Sequence, residues 1–146
     1  MDSFRASGNV IFATDDEPPA ELSARIETGL AEALGYEVAT FLRTARELQA
    51  IAGHQPFSPK HVQASGGKLQ VSLLLASPSE SVRKAVLALA TDRDRLAFGR
   101  RELFWLPSGG ILESALDLKA IETVLGTMTR RTKNTVEQLV GRHFAA

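Results

Sequence analysis

The cations and amides near the end of the chain are the side chains of this sequence best suited to holding an anion. Arg130, Arg131 and Lys133 supply three positive charges, and Asn134 supplies an amide. Asn134 and Glu137 also have the spacing of a capping box, in which two side chains satisfy free backbone donors at a helix start. Because a helix N-terminus with adjacent cations attracts anions, these residues predict an anion site. A capped last helix with solvated charges is the alternative that the pattern leaves open.

Two further cations, Arg100 and Arg101, precede the aromatic pair Phe104 and Trp105. These aromatics lie in a predicted strand, where successive side chains point to opposite faces. We therefore expect one of them to face the core. If the other is exposed beside the arginines, it would form a platform on which bases of single-stranded nucleic acid stack. The alternative, which we favour, is that the outer aromatic packs in an interface between two units or two copies.

No set of side chains has the spacing of a catalytic or metal-binding motif. The chain contains no cysteine, which excludes disulfides, zinc ribbons and thiol nucleophiles. His54, His61 and His143 do not have the spacing of a zinc signature or of a helical metal-binding pair. Glu113 and Asp117 share one face of a predicted helix, where they are more typical of a solvated helix start than of an acid–base pair. We therefore predict no catalytic residue, metal or cofactor.

The composition is that of a soluble globular protein. The 146 residues suffice for one ordinary domain or two very small ones, and 44% of them are apolar and 23% charged. The longest apolar runs, such as 71–76, are too short to cross a bilayer, and no secretory signal pattern opens the sequence. These features predict a cytoplasmic protein that does not bind a membrane.

Charge is unevenly distributed along the chain. Residues 1–82 carry six Lys/Arg and ten Asp/Glu, whereas residues 83–146 carry eleven and seven, so the net charges are −4 and +4. A basic second half is typical of a nucleic-acid surface. Two halves that attract each other, or complementary surfaces of a homodimer, explain the same asymmetry, and the sequence does not choose among the three.

Apolar periodicity and turn residues predict two sets of elements joined by a linker. The first set comprises a hairpin around 7–9, a helix that ends at Gly35, a strand over 36–42 and a helix that Thr44 and Glu47 open as a capping box. Prolines and a glycine pair then favour a linker over 55–68. We predict a first domain over 1–54 and a second over 69–146.

The second set begins with a buried strand over 69–75 and a helix that Ser77-Pro78-Ser79-Glu80 opens. A hairpin of 95–99 and 102–106, a helix over 113–125, an extended segment over 127–131 and a last helix follow. Strand–helix–strand–strand–helix–strand is the order of the ferredoxin-like split motif, an antiparallel sheet with helices on one face. We therefore predict an α+β fold of two ferredoxin-like units, the first of which is incomplete at its N-terminus.

Several stretches resemble the uncharacterised bacterial family called domain of unknown function 1697. In the first half they are 5–12, 43–48 and Pro56-Phe57, and in the second half they are 101–104, 110–116 and 129–139. The last of these, with Asn134-Thr135-Val136, is the most specific. The resemblance implies a pair of ferredoxin-like units and no established activity.

Three departures from the family pattern are visible. Members usually begin with a strand and helix carrying an arginine–glycine–isoleucine–asparagine type of stretch, and this sequence starts where their second strand would start. Thr132 and Lys133 replace a typical asparagine and tryptophan, and Ala115 stands where a basic residue is common. A ligand that the family binds through these positions would therefore be bound differently here, or not at all.

The leading hypothesis is a non-enzymatic interaction module that assembles, most simply as a homodimer. An incomplete sheet leaves edge hydrogen bonds and apolar surface uncovered, and a second copy would cover them. The second hypothesis is that the chain binds an anion or a nucleic acid. The residues predicted to do so are Arg100, Arg101, Arg130, Arg131, Lys133 and Asn134.

Overall fold

A computed structural model describes residues 2–4, 9–11, 19–35, 41–65, 69–108 and 116–143. The chain divides into two compact units, Met1–Leu42 and Arg43–Ala146. This division puts the Thr44 capping box and its helix in the second unit, whereas the sequence predicted a boundary at 54. The predicted linker also contains a helix, Pro59–Ser65. The domain limits 1–54 and 69–146 stay a prediction.

The first unit contains a short hairpin and one long helix. Strands β1 (Asp2–Phe4) and β2 (Asn9–Ile11) pair in antiparallel register, as predicted, and residues 5–8 between them lie outside the described part. Helix α1 (Pro19–Leu34) ends at Gly35, whose φ of +80° is the left-handed conformation expected there. Most of the predicted strand over 36–42 lies outside the described residues, and Phe41 and Leu42 belong to no strand.

The second unit is built on a four-stranded sheet in which every neighbouring pair is antiparallel. Its strand order is β4–β5–β3–β6, so β4 and β6 form the edges. The strands are β3 (Gln70–Leu74), β4 (Asp94–Phe98), β5 (Glu102–Pro107) and β6 (Met128–Thr132). The helices are α2 (Ala45–Gly53), α3 (Pro59–Ser65), α4 (Glu80–Leu87), α5 (Leu118–Leu125) and α6 (Lys133–His143). The α+β class is therefore confirmed.

Helices cover both faces of this sheet, because each helix carries an apolar stripe. On one face, Leu103 and Trp105 pack with Val86 of α4 and Ile121 of α5. On the other face, Val71 and Phe104 pack with Ile51 of α2 and Val136 of α6. The prediction of helices on one face only was wrong for this sheet, because α2 and α6 supply a second layer.

Three helices begin at residues other than those predicted: α4 and α5 begin later and α6 begins earlier. The Ser79 hydroxyl accepts from the Val82 N–H, so α4 begins at Glu80 and Pro78 precedes the cap. The Asp117 carboxylate accepts from the Ala120 N–H, so Asp117 caps α5. Glu113, which was predicted to share a helix face with Asp117, lies outside the described residues. The third helix is α6, described below.

The buried and exposed faces of α5 give a test of this packing. Ile121 is fully buried, whereas Val124 of the same helix is 43% exposed. We expect Ile121→Ala to lower the free energy of unfolding by about 2–5 kcal/mol, since it removes buried methyl groups and leaves a cavity. The control Val124→Ala should change it by no more than about 0.5 kcal/mol. Urea unfolding measures both, and equal losses would contradict the assignment of the buried face.

Candidate functional site

Helix α6 is capped by Thr132, two residues before the predicted cap at Asn134. The Thr132 hydroxyl accepts from the Thr135 N–H at 3.1 Å, and the Lys133 N–H donates to the Leu69 carbonyl at 2.8 Å. The capping-box prediction for Asn134 and Glu137 was therefore wrong. Because protein groups occupy two of the N–H groups at this helix start, the backbone offers fewer donors to an anion than the sequence suggested.

Lys133 points inward. Only 4% of the surface of Lys133 is exposed to solvent. Its ammonium donates a hydrogen bond to the Ala52 carbonyl, near the end of α2, at 3.0 Å. The carbonyls at a helix C-terminus carry partial negative charge, so a cation is stabilised there. One residue therefore opens α6 with its backbone and binds the end of α2 with its side chain.

Arg130 and Arg131 lie on opposite faces of the edge strand β6. The guanidinium of Arg130 stands over the Trp105 ring, 5.3 Å from its centroid. Arg131 donates to the Thr129 hydroxyl at 2.7 Å and to the Arg130 carbonyl at 2.9 Å. Burial lowers the pKa of Arg131 from its ordinary value. The two arginines therefore do not converge on one point.

Phe104 and Trp105 are both buried, with 0% and 2% of their surfaces exposed. Trp105 donates its indole N–H to the buried Asp94 carboxylate at 2.9 Å, and that carboxylate also accepts from the Thr91 hydroxyl at 2.6 Å. The expectation of an exposed stacking platform was wrong, whereas Phe104 packs against Ile51, a residue of the predicted first half. Both aromatics are covered because the sheet carries helices on each face.

Arg100 and Arg101 form the turn between β4 and β5. Arg100 is exposed, whereas Arg101 makes a 2.5 Å ion pair with Glu47 of α2. Glu47 is also the second residue of the predicted capping box, which is confirmed: Thr44 and Glu47 each accept the other's backbone N–H. The turn is thereby fixed to the first turn of α2.

Two arginines that the sequence did not single out hold the carbonyls of this turn. Arg83 donates to the carbonyls of Gly99 and Arg100 at 2.8 and 2.9 Å. Arg43 donates to the carbonyls of Leu74 and Arg101 at 2.8 and 2.9 Å. Burial and the nearby Arg101 charge lower the pKa of Arg43. We call Arg43, Arg83 and the turn that they hold, 99–101, the arginine-bound turn.

A cleft of about 460 Å³ opens at the start of α6. Its walls combine opposite charges, amides, a hydroxyl and two apolar side chains. The lining residues are Gln55, Val62, Leu69, Thr132, Lys133, Asn134 and Glu137. Of the six predicted site residues, this cleft brings together Lys133 and Asn134, and the remaining four are divided between β6 and the arginine-bound turn.

The part of the chain that the structure describes contains no group of three or more His, Asp or Glu side chains that could hold a metal ion. His54 and His61 are exposed, and the side chain of His143 lies outside the described part. Among the same residues, no helix combines the length and the apolar character that crossing a bilayer requires.

Comparison with protein families identifies a family for the chain but no activity. A model described as "Protein of unknown function (DUF1697)" matches residues 1–104. The chain belongs to this family. Searches of curated proteins and of solved structures found no significant match.

Two stretches that carried the DUF1697 resemblance contact each other in the structure. Residues 43–48 and 101–104 lie within the matched part and are joined by the Arg101–Glu47 pair and by the bond from Arg43 to the Arg101 carbonyl. The stretch 129–139, which seemed the most specific, lies outside the match. The sequence of this DUF1697 chain does not reveal the arginine-bound turn, because hydrogen bonds to distant carbonyls leave no local sequence pattern.

Glu47 gives the site a testable pH dependence. Partial burial alone would raise the pKa of Glu47, but the Thr44 N–H and the Arg101 guanidinium outweigh it and lower the pKa. A depressed pKa in the folded state stabilises the protein above the unfolded value of about 4.3, and this contribution is lost as pH falls through the folded value. We expect Glu47→Gln to be less stable than the wild type at pH 7, with a difference that narrows in acid.

Urea unfolding between pH 7 and pH 3, followed by Trp105 fluorescence, measures this difference. Glu122→Gln in α5 is the matched control, since Glu122 is exposed and belongs to a different helix from Glu47. A Glu47→Gln variant whose deficit is the same at every pH would contradict the assigned role of the Arg101–Glu47 pair.

Proposed function

We propose that this DUF1697 chain is a non-enzymatic cytoplasmic interaction module in which the first unit of one copy docks on the second unit of another. The observation that supports this proposal is the opposite net charge of the two units. Residues 1–42 hold two Lys/Arg and eight Asp/Glu, a net of −6, whereas residues 43–146 hold fifteen and nine, a net of +6. Opposite charges speed association and select the orientation in which two surfaces meet.

The size of the first unit supports the same proposal. It has 42 residues, close to the limit of about 40 below which isolated domains usually need a disulfide, a metal or a partner. The chain has no cysteine. The hairpin of three-residue strands is of a size that is marginally stable in water by itself. A partner would supply the missing stabilisation.

The apolar stripe of α1 supports a docking role. Leu22 is buried, Ile26 is half-buried and Leu30 is 37% exposed. The exposure of the apolar stripe therefore increases towards the C-terminal end of α1. A second copy is the partner that we propose, since it carries the opposite charge on its own second unit. Reciprocal docking in a two-fold dimer would form this contact twice and close the assembly.

For the second unit we propose the ferredoxin-like fold. The support is the order β3–α4–β4–β5–α5–β6 together with the sheet order β4–β5–β3–β6, all antiparallel. In the first unit, β1, β2 and α1 would correspond to the second strand, third strand and second helix of such a motif. Helices α2 and α6 would then be additions that close the sheet face which many such folds leave open.

Binding of an anion or nucleic acid through the basic residues is the second candidate. Exposed Arg100 and Arg130 favour it, since each presents a guanidinium that no carboxylate neutralises among the described residues. The burial of Trp105 and Phe104 removes the stacking contribution that single-stranded nucleic acid would require. Assembly therefore remains the better supported function.

Charge exchange between the units tests the assembly. Variant A carries Glu21→Lys and Glu32→Lys in α1, and variant B carries Arg95→Glu and Arg100→Glu in the second unit; all four positions are exposed. Each variant should self-associate about tenfold more weakly than the wild type, because the attraction between units falls. An equimolar mixture of A and B should recover part of the affinity, since one strongly attracting contact forms between them.

Sedimentation velocity at several concentrations, in low and moderate salt, measures the association. The wild type should approach twice its monomer mass of 15.8 kDa at low salt and dissociate as salt screens the charges. A control variant with Asp92→Lys and Glu122→Lys has the same total charge as variant A but leaves the first unit acidic. It should associate at least as tightly as the wild type. A monomer mass at every concentration and salt level would refute the proposal.

A further inference from the structure

We propose that the cleft at the start of α6 binds a free α-amino acid with an aliphatic side chain. Its volume of about 460 Å³ falls within the range of about 300–1,000 Å³ that is usual for small-molecule sites. All seven of its lining residues belong to the second unit, so the proposal does not depend on how copies of the chain assemble.

Two opposite charges on α6 select the ligand. Lys133 and Glu137 are one helical turn apart and both line the cleft, yet no ion pair joins them among the described residues. The reason is that the Lys133 ammonium binds the Ala52 carbonyl instead. An ammonium has three donors, so this buried cation retains hydrogen-bonding capacity beyond its one protein acceptor. A ligand carboxylate matches that capacity.

The Glu137 carboxylate determines what else the ligand must carry. A simple anion would be attracted by Lys133 but repelled by Glu137, since both residues line the same cleft. A molecule that carries a carboxylate and an ammonium on neighbouring atoms places each opposite its complement. The α-amino acid backbone has this arrangement.

The remaining walls fit the rest of such a molecule. Val62 and Leu69 provide apolar surface for an aliphatic side chain, while the amides of Gln55 and Asn134 can donate to or accept from its polar end. Polar groups beside an apolar patch can fix the orientation of a small ligand.

Calorimetric titration with three probes tests the proposal. Leucine carries both charges, 4-methylpentanoate lacks the amine, and 3-methylbutylamine lacks the carboxylate. We expect leucine to bind the wild-type chain about tenfold or more tightly than either analogue, because each charged group adds a charge-assisted hydrogen bond. No heat with any probe, or equal affinity for leucine and 4-methylpentanoate, would overturn the proposal.

Variants of Lys133 and Glu137 test which protein charge binds which charged group of the ligand. Glu137 is exposed, and Glu137→Gln should lower the affinity for leucine by about tenfold. The affinity for 4-methylpentanoate should stay the same or increase. Equal weakening of both probes would overturn the proposal, and Glu122→Gln should alter neither. Lys133→Met should remove leucine and 4-methylpentanoate binding together. If circular dichroism shows that Lys133→Met does not fold, the Glu137→Gln titrations decide the question.

Discussion

Burial of β5 on both of its sides is the constraint on which the rest of the second unit depends. All six residues from Glu102 to Pro107 are buried, so the strand needs an apolar cover above and below. Helices α4 and α5 provide one cover, and α2 and α6 provide the other. A half-buried strand would have allowed an open sheet face. This strand does not, and the second helical layer follows from it.

The charged contacts follow from the same constraint, because α2 must be held against the end of the sheet. The Arg101–Glu47 pair joins the start of β5 to the first turn of α2, and Arg43 binds two carbonyls beside it. Gly99 leaves space for this arrangement, since a Cβ there would lie 2.7 Å from the Glu102 carboxylate. The Lys133 ammonium holds the other end of α2. Two of the cations that the sequence predicted as a binding surface, Arg101 and Lys133, therefore serve to fix one helix.

Local signals in the sequence predicted local structure well. The Thr44–Glu47 capping box, the positive φ at Gly35, the hairpin of β4 and β5, and the antiparallel α+β class all depend on neighbouring residues. The predictions that failed depend on residues that are distant in the sequence. Asn134 was predicted as the cap because Glu137 follows it three residues later, yet Thr132 both ends β6 and caps α6. Phe104 was a candidate for an exposed aromatic because the sequence does not show that α2 and α6 cover its face of the sheet. Lys133 looked like part of a surface because its partner is 81 residues away.

The environment of Trp105 has a spectroscopic consequence. It is the single tryptophan of the chain, and it lies in the second unit between the Arg130 guanidinium and the Asp94 carboxylate. Its emission therefore reports the packing of β4, β5 and β6. Far-ultraviolet dichroism includes the 16-residue helix α1 as well. Melting curves recorded by the two signals will coincide only if the two units unfold together, so a comparison of them measures the cooperativity between the units without any label.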